Sequence, residues 1–276
     1  MLPITSHTAE RSTTSGLYGS SAYAEYAARM LRFRQMDFEY AMWLMANLCI
    51  SPRTAFRSTL YHSRTKHQWA RDDPAFVVVL LYLLLVASVS WSFAFAWRTP
   101  LQVLGLFAYV ACVDFLLLGG VLATVGWWLA NTYLHEDAQQ PQMGGSAYAR
   151  LASRAAEASP WQHASERREA VEWLYAFDIH CNALVPIYLL LYVLQYLLLP
   201  LLLRPGFLAR VLSNLLFAAA FSAYHYLTFL GYSEMPFLHK CEVFVYPIAL
   251  VLVGAVLATL LGINCTGLIV YIYFGD

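Results

Sequence analysis

Apolar residues run along this chain in long unbroken stretches, without the polar positions that a water-exposed helix or strand needs at regular intervals. From Ala75 to Trp97 there are 23 residues and no Asp, Glu, Lys or Arg. At about 1.5 Å of rise per residue, that run exceeds the roughly 30 Å hydrocarbon core of a bilayer. A second run, Pro100 to Ala130, is broken only by Asp114, and Arg98-Thr99-Pro100 makes the turn before it. The third is Asn182 to Leu203, the fourth Val211 to Ser233, and the fifth opens at Val243. That last stretch stays uncharged to Gly275, too long for one perpendicular helix. A span to about Leu261 is expected, then a Gly-Ile-Asn-Cys-Thr-Gly break and a short aromatic tail at the interface. The pattern predicts an all-α polytopic membrane protein of five transmembrane helices with an N-terminal cytoplasmic amphipathic helical region.

Polar segments fill the gaps. Residues 1–21 are rich in Ser and Thr and read as a disordered tail; they hold no apolar signal-peptide core, so the first span would act as its own targeting signal. Within 22–74, Tyr23 to Ile50 is helical in pattern, and Ser51-Pro52 stops it. A second short helix is expected with Arg53, Arg57 and Arg64 one or two turns apart. Basic helices beside a membrane lie on it, cations near anionic headgroups. Spans 1 and 2 occupy 75–130. The cytoplasmic loop 131–170, with Gln-Gln-Pro-Gln and Gly-Gly-Ser, has a composition that need not fold. Spans 3 to 5 with a short lumenal tail occupy 171–276.

Charge sets the orientation. The chain is 60% hydrophobic and 12% charged, about half the charged fraction of soluble domains. Nine of its 17 Lys and Arg precede Ala75, four lie in the 131–181 loop, and Lys240 falls on the same side. Only Arg98, Arg204 and Arg210 face the other side. The positive-inside rule then places the N-terminus in the cytoplasm and the C-terminus in the lumen. The lumenal sequon Asn264-Cys265-Thr266 sits so close to the membrane that it should stay unmodified. Five scattered cysteines without a Cys-x-x-Cys pair suggest neither a disulfide framework nor a zinc site.

Three groups of residues invite chemistry. Asp114 lies about 14 residues from its Pro100 edge, with Gln195, Asn214 and His225 at comparable depth in other spans. Such a carboxyl costs of order a few kcal/mol unless partnered, so it serves either a proton or ion relay or a hydrogen bond between helices. At the entrance to the third span stand Glu172, Asp178, His180 and Asn182. On a helix Asp178 and His180 point about 200° apart, whereas Asp178 and Asn182 share a face. That favours a hydrogen-bonded entrance over a metal site. The collar Trp69-Ala70-Arg71-Asp72-Asp73-Pro74 carries adjacent carboxylates that diverge, and either one can cap the first span. No catalytic triad order, phosphate-cradling loop or dinucleotide fingerprint is present.

Four motifs give a family resemblance. Arg32-Phe33-Arg34-Gln35-Met36-Asp37-Phe38-Glu39, the collar through Ala75-Phe76, Glu172-Trp173 with Tyr175-Ala176-Phe177-Asp178-x-His180-x-Asn182, and Thr228-Phe229-Leu230-Gly231-Tyr232-Ser233 resemble the Unc-fifty family of Golgi membrane proteins. The chain departs from the family pattern in a longer 131–170 loop and in His225, where an aliphatic residue is expected. The resemblance implies five spans, no enzymatic activity and no cofactor. It implies a role in vesicular transport that supports receptor delivery to the cell surface, with Arf guanine-nucleotide exchange factors, receptor or other membrane-protein cargo and the lipid bilayer as partners. Arg32, Arg34, Trp69, Arg71, Asp72 and Asp73 are the candidate partner contacts. Two alternatives remain at this stage: an RNA-binding protein of the inner nuclear membrane, and a small proton-coupled transporter using Asp114.

Overall fold

The computed structural model describes residues 36–66, 69–95, 99–135 and 170–275, the side chains of 60–66 excepted. Two helices, α1 (Phe38–Ile50) and α2 (Pro52–Lys66), precede five that are long and apolar enough to cross a membrane. These are α3 (Ala75–Phe95), α4 (Pro100–Leu134), α5 (Trp173–Leu202), α6 (Phe207–Ser233) and α7 (Cys241–Leu260), and a short helix α8 (Cys265–Phe274) closes the chain. The predicted all-α polytopic class with five spans is what folds. The helix expected to run unbroken over Tyr23–Ile50 starts only at Phe38, because Met36 is not helical and Asp37 caps the first turn; residues 23–35, with Arg32 and Arg34, and the tail lie outside the described residues.

Local chemistry explains where the helices begin. Thr99 Oγ1 accepts from Gln102 N–H at 3.4 Å while Gln102 Oε1 accepts from Thr99 N–H at 2.9 Å, and Pro100 takes the first helical position. This reciprocal cap uses donors the helix itself leaves unpaired. Asp73 does the same for α3, accepting from Ala75 N–H at 2.9 Å. At the other end of the fold Gly262, at φ 80°, makes the left-handed turn from α7 into α8.

Burial by protein differs among the apolar helices: it runs all round α5 from Asp178 to Ala183 but along one face of α3. On α3 that face is Ala75, Phe76, Leu80, Leu84, Ala87 and Trp91, at three- to four-residue spacing. Ala41, Leu44, Met45 and Leu48 of α1 and Phe56 of α2 join the same core, so these two helices dock on the bundle rather than standing apart. Between Tyr246 and Leu260, α7 has no buried residue; it packs on α6 and turns the rest of its surface outward, as lipid contact requires.

Two findings depart from the sequence expectations. Helix α4 continues through Asn131–Leu134 and reaches 35 residues, roughly 50 Å, and α5 already begins at Trp173, so both outrun the hydrocarbon core at the collar end. The aromatic tail expected at the interface is instead α8, folded into the bundle. Thr266 meets Gln195 and Ser213, and Phe274 stacks on Phe95 with centroids 4.9 Å apart. The apolar count that ended the fifth span near Leu261 could not show that the next ten residues have buried partners.

Candidate functional site

The collar is an extended strap, and the backbone N–H groups of Trp69, Ala70 and Arg71 and the Arg71 side chain find partners at the start of α5. Glu172 accepts from Trp69 N–H at 3.4 Å and from Ala70 N–H at 3.2 Å. Asp178 Oδ2 accepts from Arg71 N–H at 2.7 Å, and its Oδ1 lies 3.4 Å from Arg71 Nε. Arg71 Nη2 donates to Asn182 Oδ1 at 2.8 Å and to the Asp178 carbonyl at 3.1 Å. The guanidinium also lies over the Phe76 ring, 4.1 Å from its centroid. The helical spacing of Asp178 and Asn182 thus presents two acceptors on one face, matching the fork of an arginine. With side-chain exposures of 15% and 5%, the Arg71–Asp178 pair is largely withdrawn from water. It holds together because hydrogen bonds fill most of the remaining valences.

A second carboxylate ties in the amino-terminal helices. Asp73 Oδ2 accepts from Asp37 N–H at 2.8 Å, and Asp37 Oδ1 caps α1 by accepting from Tyr40 N–H at 2.9 Å. On the far flank Trp69 packs edge-on to Tyr175 at 5.7 Å, and the Tyr175 hydroxyl donates to the Gly231 carbonyl at 2.9 Å. A side chain at Gly231 would strike Ile179, so glycine lets α5 and α6 approach closely here. Segments around Asp37, Arg71, Asp178 and Gly231, spread over most of the sequence, therefore meet in one assembly. Beside it, Asp37, Tyr40, Trp69, Arg71, Asp72 and Asp73 line a crevice of about 240 Å³.

The candidate residues divide accordingly. Trp69, Arg71, Asp73, Glu172, Asp178 and Asn182 come together, and Asp72 lines the crevice. His180 points away, its Nδ1 2.9 Å from the Tyr224 hydroxyl. Asp114, Gln195 and His225 line a different space deeper in the bundle. Asp114 accepts from the Tyr273 hydroxyl at 2.5 Å, Gln195 donates to Thr266 at 3.1 Å, and His225 stands edge-on to Tyr224. These three polar groups share one cavity without forming one hydrogen-bonded chain among the described residues. Sequence reading missed Asp37, Tyr224, Thr266 and Tyr273, which carry much of this bonding. Only Asp37, three residues ahead of Tyr40 and beside the first helical turn, had a capping signal to find it by. Asn264 has little freedom as an acceptor for sugar: its Nδ2 donates to the Leu202 carbonyl at 2.7 Å and its Oδ1 caps α8.

Comparison with known proteins agrees with this grouping of motifs. The model of the UNC-50 family matches residues 26–274. A relative from Dictyostelium discoideum, "Protein unc-50 homolog", is 38% identical over 100% of this chain and 99% of its own length. "Protein unc-50" of Caenorhabditis elegans is 36% identical over 88% of this chain and 71% of its own length. The Homo sapiens homolog is 34% identical over 90% and 85% respectively. No solved structure matches significantly. With nearly the whole length matched and the motifs gathered in one polar assembly, the chain belongs to the UNC-50 family.

Proposed function

We propose that this chain is a non-enzymatic protein of Golgi membranes acting in vesicular transport, with its collar end in the cytosol and α8 on the lumenal side. One observation carries the reading: Asp37, Arg71, Asp178 and Gly231, one residue from each of the four motifs, meet at a single end of the bundle. Nine of the 17 cations precede Ala75, on the same side of the first span as the collar in the chain. The preference of basic residues for the cytosolic side supports the orientation. The Arg71–Asp178–Asn182 lock supports a contact role, since a surface held rigid before binding loses less entropy when a partner docks. In this reading α1, α2, the crevice and the basic segment with Arg32 and Arg34 face an Arf exchange factor. Arg71 acts from behind as the strut, while Asp72 and Trp69 border the contact surface. The spans engage membrane-protein cargo such as receptors on their way to the cell surface.

The test is co-isolation from Golgi membranes. Arg32→Glu combined with Arg34→Glu should abolish recovery of the exchange factor while the bundle stays folded. Undiminished recovery from correctly localised protein sinks the assignment. Proximity labelling from the N-terminus and from the C-terminus should return cytosolic and lumenal proteins respectively; the reverse result overturns the orientation.

A further inference from the structure

Away from the collar, the bundle encloses a cavity of about 520 Å³ between α3, α4, α5, α6 and α8. That is the size of a small-molecule site, of roughly 300–1,000 Å³. Two stretches of π-helix, Val110–Leu117 of α4 and Tyr188–Leu194 of α5, contribute Val110, Asp114, Leu191 and Tyr192 to its wall. The second follows Pro186, which lacks the N–H that would continue regular α-helix. Wide turns of this kind recur at functional sites. Leu118, Leu122 and Phe221 line the cavity and are 50%, 38% and 41% exposed on the outer surface of the bundle, which places its mouth toward the acyl chains. Whatever enters comes from the bilayer.

Three polar groups line it without being fully used. One Asp114 oxygen is taken by Tyr273, and the other receives no hydrogen bond among the described residues. His225 makes none among them. His180, 3% exposed, keeps an unpartnered Nε2. Leaving such groups bare at hydrocarbon depth is unfavourable. Among the described residues no Lys or Arg lines the space to neutralise a phosphodiester. The geometry points to a site for a neutral membrane lipid whose single hydroxyl hydrogen-bonds at Asp114 and His225 while its apolar body fills the cavity. A hydroxyl suits both, because it donates to a carboxylate or imidazole nitrogen and accepts from an imidazole N–H.

Sterols and diacylglycerols share this chemistry, and photolabelling separates them. Purified full-length protein is reconstituted with photoreactive sterol, photoreactive diacylglycerol or photoreactive phosphatidylcholine. One of the two neutral probes should saturably label peptides lining the cavity at 184–195 or 217–225, and its own unlabelled form should compete. Leu118→Trp or Leu122→Trp, which fills the mouth from a lipid-facing position, should cut labelling at least about fivefold without changing the melting temperature. His225→Leu breaks no internal hydrogen bond and should weaken the site about tenfold, the loss expected for one buried hydrogen bond. Labelling by either neutral lipid with these losses supports the site and names its ligand. Equal labelling by phosphatidylcholine, or labelling that neither kind of variant changes, overturns it.

Discussion

The two ends of the bundle handle polar groups in opposite ways. At the collar, charged groups are matched: Arg71 meets Asp178 and Asn182, Glu172 meets two backbone amides, and Asp73 is bonded on both oxygens. Toward α8 the partners are neutral, as in the Gln195–Thr266–Ser213 set, and Asp114 and His225 both line the cavity. The difference follows from solvent. Near the interface, ions can be assembled because water still solvates their edges, whereas deep in the bilayer each charge is costly and neutral hydroxyls and amides do the joining. The collar is thus a lock, and the cavity is a place where something can still bind.

Breaking the lock should have the largest effect. Arg71→Ala strands Asp178 with its charge uncompensated, and a loss of about 3–5 kcal/mol in stability is expected. Thermal melting of detergent-purified protein measures it. Adding Asp178→Leu to that variant should restore part of the loss, and strict additivity would show that the two groups do not act as a pair. Next comes Gly231→Val, which drives a branched side chain into Ile179 and should cost about 1–3 kcal/mol. Because Tyr175 bonds the same residue's carbonyl, this change should also loosen the collar. Limited proteolysis within 66–74, faster in the variant than in the parent, reads that coupling. Asp73→Ala removes the cap on α3 and the tie to Asp37, for about 1 kcal/mol. Smallest is Tyr273→Phe in the other region, at about 0.6 kcal/mol, the average for hydrogen bonds between membrane helices. A larger fall on melting for Tyr273→Phe than for Arg71→Ala would reverse the contrast drawn between the two ends.

Much of the collar was legible one residue at a time. Asp178 and Asn182 share a face because a helix repeats every 3.6 residues, and a carboxylate just ahead of Ala75 reads as a cap. The resemblance singled out the segments that prove to touch. What the residues could not reveal was that Arg71, first considered a contact for another protein, has its guanidinium turned inward to Asp178 and Asn182. That depends on a partner more than a hundred positions away. The same holds for α8, whose Tyr273 and Thr266 look like interface residues until Asp114, Gln195 and Ser213 are seen beside them.

The sequence alone determined that the chain has five membrane-crossing helices and which side of the first span holds most of the cations, because these depend on local hydropathy, helix length and charge. Tertiary structure decided which polar groups pair off and which stay bare, because a hydrogen bond is a matter of distance and direction between helices. It also decided that a lipid-sized cavity exists at all: empty space belongs to the packing of five helices around it and to no residue in particular.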